Sequence, residues 1–156
     1  MRVASRLRKA IGPSSWFGLL VVTAVVVAGC GGSKTLSHSA LVLRTDRACQ
    51  RANSAVSQLG APTASLTALT GYATKVLPIS RQLVTKLSAL KPSSSDQPAL
   101  NHLIAALQNG NRGLKMMETA SSTAQTNAAS QIIIAQSVPK AASALGAGTC
   151  AASPSA

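Results

Sequence analysis

Three carboxylates, two histidines and three cysteines are the residues of this 156-residue chain best suited to acid–base, metal or thiol chemistry near neutral pH. An enzyme needs convergent groups whose proton affinities can be tuned against one another. Asp46, Asp96 and Glu118 fall instead on different predicted helices. His38 lies at the edge of a polar tether and His102 beside a leucine seam, pointing outward, so both read as solvated side chains. A metal site wants ligands in a fixed local pattern, such as two histidines four apart on one helix face. Neither histidine has such a neighbour. Met116 and Met117 lie about four turns along the same helix as His102, too far to serve as the opposite axial ligand of a haem, and Met117 reads as core. Ser137-Val138-Pro139-Lys140 satisfies a Ser-x-x-Lys pattern, but its proline and the lack of companion motifs mark it as coincidence. The expectation is a chain with no catalytic residue, no metal and no cofactor.

The one cysteine with a chemical context is Cys30. Four cations, Arg2, Arg6, Arg8 and Lys9, precede an uncharged span that lasts until Lys34, and the apolar run ends on small residues directly before the thiol. That is the layout of a secretory signal sequence. Val27-Ala28-Gly29-Cys30 resembles the lipobox of bacterial lipoproteins, in which the thiol receives a diacylglyceryl group and the chain is cut just before it. The competing reading is an uncleaved membrane helix, since Ala10 to Ser33 is long enough to cross a bilayer. Its hydrophobic centre is short and Gly29, Gly31 and Gly32 weaken its far end, so cleavage is expected. In both readings the cations stay inside and the remainder crosses. The expected organisation is a signal peptide over 1–29, a lipidated cysteine and flexible tether over 30–37, a helical domain over 38–150 and a disordered tail over 151–156.

Cleavage before Cys30 leaves 127 residues with eleven Lys/Arg against three carboxylates, a formal balance of +8. Trp16 and Phe17 depart with the leader, so Tyr72 is the only ring left. A core of Ala, Leu, Ile and Val suits close helix packing and offers no stacking platform for single-stranded nucleic acid. Nucleic acid is also a poor partner for an exported, tethered domain. With Cys30 lipidated, Cys49 and Cys150 remain in a compartment where thiols oxidise, and a bridge between them would fasten the two ends of the domain together.

Periodicity supplies the elements. From Ser39 to Leu59, Leu41, Thr45, Ala48, Ala52, Ala55 and Leu59 form one helical stripe, with Cys49 in the adjoining column and Arg44, Arg47 and Arg51 together on another face. A second helix over about Ala64 to Leu90 carries Leu66, Leu69, Ala73, Val76, Ser80, Leu83, Leu87 and Leu90, and Pro78 predicts a kink or break near Thr74 to Pro78. Ser95 or Asp96 can cap a third helix, whose seam continues through Leu100, Leu103, Leu107, Gly110, Leu114 and Met117. Asn109 to Gly113 weakens it without breaking its register. A fourth helix should turn Ala128, Ile132, Ala135, Ala142 and Leu145 inward, be kinked by Pro139 and stop at Gly146 and Gly148. The predicted fold is all-α, an up-down-up-down four-helix bundle after an N-terminal signal helix, with first and last helices side by side.

With these residues in place the chain resembles a group of small exported four-helix lipoproteins of high-GC Gram-positive bacteria. The shared features are the lipobox, a cysteine in the first helix, a proline inside the second, the Leu87 to Pro92 exit and a cysteine just past the last helix. That group has no assigned activity, so the resemblance implies location and fold and contributes no functional residue. The expected role is a non-enzymatic envelope interaction module, held on the outer face of the cell membrane by its N-terminal lipid. Its partner would be an envelope protein or an anionic polymer met by Arg44, Arg47 and Arg51. The alternative is a carrier that holds a small apolar ligand between helices opened by Pro78 and Pro139. Oligomeric state is not legible.

Overall fold

The computed structural model describes residues 35–135 and 137–152. The signal sequence, Cys30 and residues 153–156 of the expected tail lie outside the described residues. Among the described residues all regular structure is helical: α1 His38–Ser57, α2 Leu66–Ser88, α3 Gln97–Glu118, α4 Thr123–Ala135, α5 Val138–Leu145 and α6 Gly148–Ala151. The hydroxyls of Ser37 and Ser65 cap α1 and α2 by accepting from the Ala40 and Ala68 amides. Asp96 stands at the N-cap position of α3, but neither it nor Ser95 caps the helix with its side chain; Pro98 in the first turn needs no amide partner there.

The start of α1 lies beside the end of α2 and the start of α3. Leu36 forms an isolated bridge with Pro92, its amide donating to Lys91 O at 2.7 Å, and His38 reaches Asp96. α1 and α3 therefore start at the same end of the bundle, where α2 finishes. α2 packs on α3, α3 on α4 and α5, and α1 on α2 and α6. The bundle is thus the expected one with a divided fourth member. Neither α4 nor α5 runs closely along α1, so the predicted side-by-side pairing of first and last helices is made only by the short α6.

Two prolines have different effects. α2 runs unbroken through Pro78, whose ring is exposed to solvent. The fourth helix, by contrast, does not merely kink at Pro139: α4 stops at Ala135 and α5 begins afresh at Val138 with Pro139 in its first turn. A first-turn proline has the fixed φ a helix start wants and lacks an amide that would have no partner.

The buried face of α4 also differs from the periodicity. Thr126 and Ala129 are buried, whereas Ala128 and Ala135 are exposed. Alanines and a triple isoleucine run give α4 no single apolar stripe, so the neighbour decides. That neighbour is Gly113 on α3. A Cβ there would lie 2.6 Å from Ile133 Cγ1 and 3.1 Å from Ala129 O, so the missing side chain is what lets the two backbones meet. A Cβ on Gly110, one turn earlier, would touch nothing within 4 Å. Alanine at Gly110 should therefore stabilise by about 1 kcal/mol through helix propensity. The same change at Gly113 should destabilise by about 1–2 kcal/mol, because overpacking outweighs that gain. Urea unfolding of the two variants checks the pair, and equal effects would refute the close approach.

The interior is two clusters rather than one. The larger joins Leu41, Leu87, Leu100, Leu103, Leu145 and their neighbours around Cys49 and Cys150. The smaller, at the far end, is Ala73, Met117 and Ala129.

Gly146 closes α5 with φ +81°, a conformation that only glycine adopts without strain. The Ala147 amide then donates to Ala142 O at 2.9 Å and the Gly146 amide to Ser143 O at 3.0 Å, the paired bonds of a Schellman turn. This turn lays α6 against α1. Asp46 Oδ1 accepts the Thr149 amide at 2.8 Å, Asn53 Nδ2 donates to Thr149 O at 3.1 Å, and Cys150 is joined to Cys49 with the Cα atoms 5.2 Å apart. Asp46, Cys49 and Asn53 form one helical column, so α6 is held by three successive contacts on the same face of α1.

Candidate functional site

Between the two interior clusters the bundle is not filled. A cavity of about 280 Å³ is walled by Val56 from α1, Val76 and Ile79 from α2, Leu107 and Leu114 from α3 and Ile133 from α4. It lies beside the break between α4 and α5, with Ile133 before the break and Val138 after it in its wall. Gly110 contributes no side chain to it, and Leu83 and Val138 close it toward the larger cluster. Its polar wall groups are few: Ser80, and Asn53, whose amide already donates to Thr149 O. Pro78 sits between the wall residues Val76 and Ile79, and Pro139 follows the wall residue Val138. Both prolines thus adjoin wall residues, but α2 continues through Pro78 and only the α4–α5 break near Pro139 interrupts a helix beside the cavity.

The three arginines singled out by spacing come together at the other end of the α1–α2 seam. Arg44, Arg47 and Arg51 line a shallow depression of about 230 Å³ with Ala48 and Leu90 as apolar floor. A fourth cation, Lys86 of α2, completes it. Sequence reasoning missed Lys86, although antiparallel pairing of α1 and α2 would have placed the end of α2 beside the start of α1. All four cations are exposed.

Among the described residues none of the three side-chain carboxylates forms an ion pair with these cations. Asp46, though next to Arg47 in sequence, turns its Oδ1 to the Thr149 amide of α6. Glu118 pairs with Lys115 at 2.7 Å. Asp96 accepts from Ser93 Oγ at 2.8 Å and from His38 Nδ1 at 2.9 Å.

The Ser93 hydroxyl first, and the His38 ring second, hold the Asp96 carboxyl below its ordinary pKa. His38 is therefore partnered rather than simply solvated, as its sequence position implied. Its Nδ1 meets a carboxylate as in a catalytic triad, but among the described residues no hydroxyl or thiol is hydrogen-bonded to its Nε2, which faces Gly146. The pair fastens the start of α1 to the start of α3. A carboxyl whose pKa is depressed by folding contributes stability above its unfolded pKa and loses it as pH falls through the folded value. Asp96→Asn should thus flatten the fall in melting temperature below about pH 4, and an unchanged acid limb would show that the pair carries no such linkage.

His102 is exposed and stands apart from this pair. Met117 is buried in the smaller cluster. Ser137 and Lys140 are exposed at the start of α5. Among the described residues no three His, Cys, Asp or Glu side chains gather, and no helix is long and apolar enough to cross a membrane. Comparison with protein families, with curated proteins and with solved structures finds no match to this chain.

Proposed function

We propose that this chain is a bacterial lipoprotein, exported by its leader, acylated at Cys30 and held on the outer face of the cell membrane, whose helical bundle binds a small apolar ligand and catalyses no reaction. The leader and the Val27 to Cys30 motif support the location. The observation that carries the binding role is the cavity of about 280 Å³ between helices, walled almost wholly by aliphatic side chains. It lies just below the roughly 300–1,000 Å³ typical of ligand pockets, a size that suits one alkyl chain. Each buried methylene is worth about 0.8 kcal/mol, or roughly a fourfold gain in affinity per carbon.

Medium-chain alcohols of increasing length should therefore raise the melting temperature of the full chain, with affinity rising about fourfold per methylene until the cavity is full. Gly110→Leu, which fills the space, should abolish the shift while preserving the fold. An equal shift in that variant would remove the cavity from the explanation. Cys30→Ala should abolish incorporation of labelled palmitate, and continued labelling at full level would refute the anchor.

A further inference from the structure

The basic depression and the apolar cavity are neighbours. A smaller hollow of about 70 Å³ along the α1–α2 seam lies between them. It shares Ala48, Arg51 and Lys86 with the basic depression, and Ala52, Ile79 and Leu83 with the cavity. Ala48, Ala52 and Ala55 keep this stretch of α1 low, and Arg51 is the one larger side chain that α1 adds to the hollow's lining. Along this seam polarity changes from four cations with no ion-pair partner among the described residues to an aliphatic cavity.

We propose that this seam binds an anionic single-chain amphiphile, with a phosphate-type headgroup among Arg44, Arg47, Arg51 and Lys86 and its alkyl chain laid past Ala52 into the cavity. The assignment rests on the apolar-ligand reading above and adds the headgroup to it. Charge complementarity selects the occupant. A neutral hydrocarbon leaves the cations without a partner, and a free anion leaves the cavity empty. Guanidinium groups at i, i+3 and i+7 of one helix, with an ammonium facing them from the next, can surround a phosphate from two sides. The depression is exposed, so recognition should weaken with salt.

The test uses the full chain reconstituted in zwitterionic vesicles, with a photoreactive alkyl phosphate and the alkyl alcohol of equal length as probes. The alkyl phosphate should crosslink to peptides bearing Leu107, Leu114 or Ile133. Reversing all four charges (R44E, R47E, R51E and K86E) should cut that labelling about tenfold or more and leave labelling by the alcohol unchanged. The four side chains are exposed, so the variant should keep its melting temperature within a few degrees. Equal labelling by both probes, indifferent to charge reversal, would overturn the headgroup assignment and leave the apolar-ligand reading standing. No labelling by either probe would overturn both. Saturable binding of inorganic phosphate as tight as that of the alkyl phosphate would assign the cluster to a free anion and overturn the amphiphile.

Discussion

Replacing Cys49 and Cys150 by alanine should lower the unfolding free energy of the bundle by about 4–5 kcal/mol. The bridge spans 101 residues of sequence, and a loop of about 100 residues gives this figure in the chain-entropy description of a disulfide. For a domain of this size it is a large part of the 5–15 kcal/mol available to most natural folds. The effect should fall mainly on the unfolded chain, because α6 keeps its other attachments: the Thr149 amide to Asp46, Thr149 O to Asn53, and buried Ala147. Refolding should therefore slow while unfolding changes little. Guanidinium unfolding and stopped-flow kinetics of the double-alanine chain measure both. A loss below 1 kcal/mol would contradict the entropic account, and a loss carried wholly by faster unfolding would move the contribution into native packing.

Truncation of two leucines should give unequal losses. Leu103 is fully buried in the larger cluster, and Leu103→Ala should cost about 4 kcal/mol from lost transfer energy and the void left behind. Leu83 is 8 % exposed, and it lines the cavity. A side chain that faces empty space on one side has fewer partner atoms to lose, so Leu83→Ala should cost about 2 kcal/mol, near the low end for such a truncation. Urea unfolding of both variants is the measurement. Equal costs would mean that the chamber walled by Val56, Val76 and Leu114 closes up in solution.

The same contrast explains which residues the periodicity placed well. Leu41, Ala73, Leu83, Leu87, Leu100, Leu103 and Met117 sit on the predicted stripes and are buried. Val76, Ser80, Leu107, Gly110 and Leu114 lie on those stripes too, yet are only half-buried, and each lines the cavity. Hydrophobic spacing reports which way a residue faces and is blind to whether the facing helix arrives. The break before Val138 was foreshadowed by Pro139, but not as a full interruption. The face of α4 was misread because Gly113, fourteen residues before Asn127 and on another helix, decides it.

Pairing of Cys49 with Cys150 followed from counting thiols once Cys30 was set aside. The His38–Asp96 contact joins residues 58 apart, and no local pattern announces it. The arginine face was visible as a spacing. Its fourth cation and the turn of Asp46 toward Thr149 required knowing how α2 and α6 pack on α1.

Placing the crosslink at Cys49 rather than at the end of α1 has a mechanical consequence. Tension applied between the upstream chain and whatever grips the C-terminus would travel from Leu36 along the first three turns of α1, cross the sulfurs, and leave through Ala151. Helices α2 to α5, and the hollow they enclose, lie off that line of force. The covalent short cut lets the molecule be pulled from both ends while those four helices bear none of the load.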